Sequence, residues 1–219
     1  MADVNVHDIF EDPAAAELAE AIAARDDARV RALAPAVDLS TRGDEQVTLL
    51  EWALLNKNAA ALQLLLDAGA DPAQPGLDDD TVVHLAAQDD DPAYLRLLLA
   101  HGASPDVAAS DNGATPLSAA LMADRVEQFR MLLAAGADPG HADRAGNTPL
   151  HVAGKINRPG RAIDLLRAGA DAAARNAQDA TFEDYLVMTD PELFDDRARA
   201  DLDALIDWLR EHPTPAPRG

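Results

Sequence analysis

Thr148-Pro149-Leu150-His151-Val152-Ala153 and, 33 residues earlier, Thr115-Pro116-Leu117-Ser118-Ala119-Ala120 are two copies of one hexapeptide. Working outward from them, Thr48, Thr81, Thr115, Thr148 and Thr181 lie 33, 34, 33 and 33 residues apart. A glycine stands 21 residues after each of the first four, at Gly69, Gly102, Gly136 and Gly169. These glycines open Gly69-Ala70-Asp71, Gly102-Ala103-Ser104, Gly136-Ala137-Asp138 and Gly169-Ala170-Asp171. Two independent markers in one register define an internal repeat, and a repeat of this length is one supersecondary unit that stacks on its neighbours.

Each repeat reads as two short helices and a projecting turn. Thr can accept a hydrogen bond at a helix N-cap, and Pro116 and Pro149 sit at the first helical position, where a missing N–H costs nothing. A polar break follows, at Asn56-Lys57-Asn58, Asp89-Asp90-Asp91, Asp124-Arg125 and Asn157-Arg158-Pro159-Gly160. The second helix carries apolar residues at helical spacing: Leu62, Leu65 and Leu66; Leu95, Leu98 and Leu99; Phe129, Leu132 and Leu133. Its terminal glycine suits a left-handed C-cap. One such pair cannot bury its apolar face alone, so the sequence predicts an all-α solenoid.

Thr115-Pro116-Leu117-Ser118-Ala119-Ala120 and Thr148-Pro149-Leu150-His151-Val152-Ala153 resemble the Thr-Pro-Leu-His-x-Ala signature of the ankyrin repeat family. Thr81-Val82-Val83-His84-Leu85-Ala86 and Thr48-Leu49-Leu50-Glu51-Trp52-Ala53 are looser copies, and the resemblance is strong over residues 43–176. It implies a solenoid of about six helix-turn-helix units whose degenerate ends act as caps with polar outer faces. The expected boundaries are an N-terminal extension (1–13), a degenerate N-cap repeat (14–42), repeats at 43–75, 76–109, 110–142 and 143–175, a C-cap repeat (176–212) and a Pro-rich disordered tail (213–219). The N-cap should hold one helix around Leu18 and Ile22 and a second around Val30 and Leu33. In the C-cap, Leu202, Leu205, Ile206 and Leu209 predict the buried face of a last helix, after a longer loop near Thr189-Asp190-Pro191.

Some positions depart from the pattern. Asp164 falls where other repeats have Leu64, Leu97 or Met131, so it is expected either to be turned outward by a helix that starts late, after Pro159-Gly160, or to pair with Arg161. Gln46 and Asp79 replace the turn glycines seen at Gly113 and Gly146, which makes the turns before Thr48 and Thr81 less regular.

Composition narrows the function. The 219 residues carry 39 acids against 18 bases, a net charge of −21, which repels nucleic-acid phosphates and anionic lipid. The charge is uneven: residues 38–112 hold 14 acids and 3 bases, and residues 140–176 hold 6 bases and 3 acids. Without cysteine there is no disulfide, thiolate zinc site or thiol nucleophile. No signal peptide and no run of roughly 18 apolar residues is visible, so a cytoplasmic location and no membrane partner are expected. Abundant Ala, with Arg far outnumbering Lys, fits a GC-rich bacterial genome. A capped solenoid of this charge is expected to be a monomer by itself.

Catalytic chemistry has little purchase. His84 and His151 could suggest a metal or an acid–base pair, but the resemblance implies that the signature histidine is structural, bonding between neighbouring repeats. His101 stands at a helix end, His141 in a turn, and His7 and His212 near the termini; none falls in a metal-binding His pair spacing. The triplets Asp78-Asp79-Asp80 and Asp89-Asp90-Asp91 lack the Gly and distal Glu of a calcium loop and read as solvated turns or an acidic docking surface. No serine sits in a nucleophile elbow and no glycine-rich phosphate loop is present. No metal, cofactor or enzymatic activity is expected.

The resemblance implies instead that turn tips and first helices form a concave face that binds a folded protein. Its contact positions map to Asp44, Glu45, Trp52, Leu55 and Asn56; to Asp78, Asp80, Gln88, Asp89 and His101; to Asp111, Asn112 and Met122; and to Arg144, Asn147 and Lys155. Thr81, Thr115, Thr148 and the four signature glycines are expected to be structural. Trp52 could pack between repeats or touch a partner, while Phe129 and Trp208 fit packed rows. The expected partner presents a basic patch to the acidic repeats, and the expected action is inhibition or regulation, in its sharper form that of an immunity protein neutralising a toxin. A secreted effector that mimics a host-binding scaffold is the alternative; an enzyme or metal-dependent protein is a weaker one.

Overall fold

The computed structural model describes residues 6–187 and 196–212; the expected loop near Thr189 and the Pro-rich tail lie outside the described residues. The described residues contain helices and isolated bridges but no strand, and they form two compact units, 1–111 and 112–219. We call these the N-terminal and C-terminal halves and describe each by itself.

The N-terminal half opens with α1 (Val6–Ile9), α2 (Pro13–Ala23) and α3 (Asp27–Leu33). Two full pairs follow: α4 (Leu49–Leu55) with α5 (Ala59–Asp67), and α6 (Val82–Gln88) with α7 (Pro92–Ala100). First helices stack as α2, α4 and α6, and second helices as α3, α5 and α7. The core is the side-chain layer between the rows, with Leu18, Ile22, Leu49, Leu62, Leu65, Leu95 and Leu98 fully buried. Phe10, in the segment read as a mere extension, is also fully buried and meets the edge of Trp52 at 5.9 Å.

The C-terminal half contains α8 (Pro116–Met122) with α9 (Val126–Ala134), α10 (Pro149–Lys155) with α11 (Pro159–Arg167), then α12 (Phe182–Val187) and α13 (Asp196–Glu211). α8, α10 and α12 stack, and α13 packs on α11. Of the two alternatives for Asp164, the pairing with Arg161 holds and the late start does not: α11 begins at Pro159 and matches α9 in length, Pro at N1 pre-setting the helical φ. Asp164 stays half-buried because Arg161 donates to it. Of the face expected on α13 only Leu205 is buried; Ile206 is exposed, and Leu202 and Leu209 are half-covered.

The markers behave as their chemistry requires. Gly69, Gly102, Gly136 and Gly169 all have φ between 82° and 102°, where a Cβ would be strained. The turns before Thr48 and Thr81 form without glycine at their second left-handed position. Glu45 and Gln46, and Asp78 and Asp79, take φ of 51–67°, each within a short 3-10 turn. Backbone bonds from Gly43 N–H to the Val47 carbonyl (2.8 Å) and from Gly76 N–H to the Asp80 carbonyl (2.7 Å) close these turns.

Candidate functional site

The signature position three residues after the N-cap Thr ties a first helix to the next turn in α4 and α10. In α4 it is Glu51, fully buried, whose Oε2 accepts from Thr48 N–H (2.8 Å), Thr48 Oγ1 (3.0 Å) and Leu77 N–H (3.3 Å). Burial pushes its carboxyl up and the nearby Asp80 charge adds to this, against the hydrogen bonds from Thr48 and Leu77; Oε1 is buried without a partner. In α6 and α10 the residue is His84 or His151, and Nδ1 accepts from Thr81 N–H (3.2 Å) or Thr148 N–H (3.1 Å). An accepting Nδ1 places the ring proton on Nε2, and His151 Nε2 donates it to the Ala180 carbonyl at 3.0 Å. Both rings are buried and hold the backbone in place. In α8, Ser118 is too short for this contact, and the Thr115 hydroxyl is left buried without a partner.

This scaffold presents a row of side chains. Four residues after each Thr, Trp52, Leu85, Ala119 and Val152 are half-buried; seven residues after it, Leu55, Gln88, Met122 and Lys155 are exposed. Leu55 is 49% exposed and Met122 65%, in a chain whose other helix leucines are mostly covered. A residue held outward at one register position by rigid helices is suited to contact rather than to packing.

In the N-terminal half, Leu54, Leu55, Leu77 and Leu85 floor a cavity of about 330 Å³ rimmed by Asp78, Asp80, Gln88 and Asp89. Burial raises the Asp80 carboxyl; His84 opposes the rise and Asp111 and Asp78 add to it, with Gln88 also hydrogen-bonded to the carboxylate. Asp44, Glu45 and Asp78 are exposed on turn tips, and Asp111 is exposed at the end of this half.

Several expected contact residues have other work. The Asp89 side chain is only 9% exposed and forms an ion pair with Lys57, so it is not an open docking charge. Asp91 caps α7 by accepting from Ala93 N–H at 2.9 Å, so in the second acidic triplet one carboxylate pairs with Lys57 and another caps a helix, while Asp90 and Asp91 stay exposed as expected of a solvated turn. Trp52 packs on Phe10 and donates its indole N–H to the Ala19 carbonyl at 3.0 Å, so it belongs to inter-repeat packing. Asn56 turns its amide back onto the Trp52 carbonyl. His101 lies at the end of a second helix, with Nδ1 on the Leu97 carbonyl and Nε2 3.2 Å from Asp67.

In the C-terminal half, Asn112 and Arg144 are exposed on neighbouring turns joined by the Arg144 N–H to Asn112 carbonyl bond (2.8 Å). Asn147 is not a surface residue: 9% exposed, it donates to Asp143 and accepts from Lys155 Nζ (2.7 Å) and Asn176 Nδ2 (2.9 Å). Lys155 remains exposed but is anchored by Asn147 and by the Tyr185 ring, 4.9 Å from Nζ. The sequence reading missed Leu77, Leu85 and Tyr185. The first two follow from register, because they align with Asp44 and Trp52; for Tyr185 no local pattern points back to Lys155, 30 residues earlier.

Among the described residues no group of three or more His, Asp or Glu is placed to hold a metal ion, and no helix is long and apolar enough to cross a membrane.

A family profile described as "Ankyrin repeats (3 copies)" matches residues 50–143 and 83–176, together more than half of the chain. Protein PhlB of Serratia liquefaciens is 52% identical over 70 residues, 32% of this chain; the match spans 31% of that protein, so the chain covers about a third of its length. Among solved structures, the ankyrin repeat domain of Bcl-3, described as a unique member of the IkappaB protein family, superposes with a TM-score of 0.71 at 24% identity. It covers 86% of this chain and 81% of that one. A chain from the complex of the Bd0816 predatory endopeptidase of Bdellovibrio bacteriovorus with immunity protein Bd3460 gives 0.67 at 22% identity, over 87% of this chain and 97% of that one. The ankyrin repeat protein EF0377 gives 0.72 at 20% identity, over 87% and 96%. At these identities the structural likenesses are of fold.

Proposed function

The chain belongs to the ankyrin repeat family, and from that premise we propose that it is a non-catalytic module that binds a folded protein through its turn tips and first-helix ends, thereby inhibiting or regulating it. The carrying observation is the pair Leu55 and Met122, large apolar side chains held outward at the same register position of two repeats. Leu55 sits on a leucine floor rimmed by Asp78, Asp80, Gln88 and Asp89, the arrangement of a contact anchor ringed by groups that exclude water.

The acidic turn tips add steering. Glu45 and Asp78 are exposed at equivalent positions and would draw a basic surface toward the N-terminal half. In the C-terminal half the exposed turn carries Arg144 with the anchored Lys155, which suits an acidic or polar patch on the same partner.

In its sharper form the proposal is a cytoplasmic immunity protein that covers the working surface of a toxin. The fold likeness to a chain of an endopeptidase–immunity protein complex supports it, as does a net charge of −21 suited to a basic target. Capture from a native lysate supplies the partner for the test. Glu45→Lys with Asp78→Lys should then slow association roughly tenfold at low salt, with little change once the charges are screened. An unchanged association rate would remove the electrostatic part of the proposal.

A further inference from the structure

We propose that the cavity between α4, α6 and the Leu77–Asp79 turn is a socket for one arginine side chain of the protein partner. This rests on the protein-binding function proposed above and names the anchor at its acidic end.

The floor is the first argument. Leu54, Leu55, Leu77 and Leu85 line a concavity of about 330 Å³ in which Leu55 is left 49% exposed. An apolar bed of this kind covers the methylene stem of a long cationic side chain, which leaves the charged head at the rim.

The rim is the second argument. Asp89 is already neutralised by Lys57, so Asp78 and Asp80 set the charge of the opening. Among the described residues no lysine or arginine pairs with either of them. Asp80 is half-buried beside Asp78 and Asp111, an arrangement of like charges that a cation relieves. Beneath the same turn lies Glu51, fully buried, with Oε1 unpartnered. The N-terminal half thus concentrates carboxylates around an apolar hollow in which Asp80 has the His84 ring nearby and a Gln88 hydrogen bond, but neither Asp78 nor Asp80 has a lysine or arginine pair among the described residues.

Arginine fits better than lysine for two physical reasons. A guanidinium is less strongly hydrated than an ammonium and so enters a partly buried site at lower cost. Its planar fork can also bond two carboxylates while lying flat on leucine side chains.

The test uses the full chain and three small probes: the N-acetyl, N-methylamide derivatives of arginine, lysine and norleucine, titrated under nitrogen–proton NMR. The arginine probe should give saturable shifts confined to residues 54–55, 77–80 and 85–89, and the norleucine probe none that saturate. Asp78→Asn with Asp80→Asn should weaken arginine binding roughly tenfold, the loss expected for charge-assisted hydrogen bonds. Asp78→Asn alone should weaken it less while keeping the fold, because Asn tolerates the positive φ at that position. Shifts of equal size at all acidic turns, shifts that never saturate, or equal affinity for the lysine probe would overturn the proposal. If the probes fail while Leu55→Asp still abolishes partner capture, the socket is lost and the binding surface stands; if both fail, both readings fall.

Discussion

Gly76 in the N-terminal half and Asn176 in the C-terminal half occupy the same place, five residues before a repeat threonine, yet only one of them can carry a side chain. A Cβ on Gly76 would overlap Glu51 Oε2, because the carboxylate fills that space and takes the Leu77 N–H. In the C-terminal half the preceding first helix carries His151, which reaches the Ala180 carbonyl instead and leaves room for Asn176 to order its own turn. One signature role is thus filled with opposite hydrogen-bond polarity, an acceptor facing an N–H in one half and a donor facing a carbonyl in the other. The Glu51 carboxylate and a side chain at position 76 therefore compete for one space.

A second contrast concerns the second helices. Asn58 and Asp91 cap α5 and α7 with side-chain oxygens, whereas Arg125 and Arg158, at the same register, give α9 and α11 no side-chain cap. Part of the acidity of the N-terminal half is therefore structural: Asp91 caps, Glu51 ties and Asp89 pairs. Net charge overstates the charge available to a partner, and the open charge is concentrated on the turn tips.

The coupled pair can be broken most sharply by Gly76→Ala, which forces the Glu51 carboxylate out of its place. A loss of about 3 kcal/mol in denaturant unfolding is expected, at the upper end of overpacking costs. Gly76→Asn should be at least as damaging, and adding Glu51→His should recover much of the loss; no recovery would contradict that competition. Next in size, His151→Ala should cost about 2 kcal/mol by leaving the Thr148 N–H and the Ala180 carbonyl without their ring partner. Hydrogen exchange should rise around residues 148 and 180.

Arg125→Asn tests the capping contrast in the other direction. It should stabilise the C-terminal half by about 1 kcal/mol, because a side-chain oxygen at the N-cap could then accept from the first-turn N–H groups of α9, which the Arg125 side chain does not do. A neutral or lower melting temperature would mean that other contacts of Arg125 outweigh the cap. The smallest effect is pH-dependent. Glu51 binds its proton more tightly folded than unfolded, so its contribution to stability is full below the ordinary glutamate value of 4.5 and declines as pH rises through the raised folded value. Glu51→Gln keeps an oxygen for Thr48 and Leu77 and has no charge to desolvate. It should therefore equal the parent protein in acid and exceed it modestly at neutral pH in thermal melts.

Much of this was legible in the chain itself. The Thr and Gly registers located the helix pairs, and capping chemistry explained their starts and stops, because both depend on residues within one turn of each other. Leu55 and Met122 were also readable as outward positions, since register alone places them. Asp89 and Asn147 were not: each looks like a turn-surface residue, yet Asp89 is covered by Lys57 of the preceding repeat, and Asn147 by Lys155 of its own repeat together with Asn176 of the next. The burial of Phe10 escaped for a similar reason, because its partner Trp52 lies 42 positions away.

The central claim is that turn tips and first-helix ends are the working surface. The most direct measurement is quantitative affinity capture from a native lysate with the parent chain, a Leu55→Asp, Met122→Asp variant, and a Gln63→Asp, Arg130→Asp variant whose changes lie on exposed positions of second helices. The account predicts one stoichiometric protein held by the parent and by the second-helix variant and lost from the first. Equal capture by all three, or loss only from the second-helix variant, would contradict it.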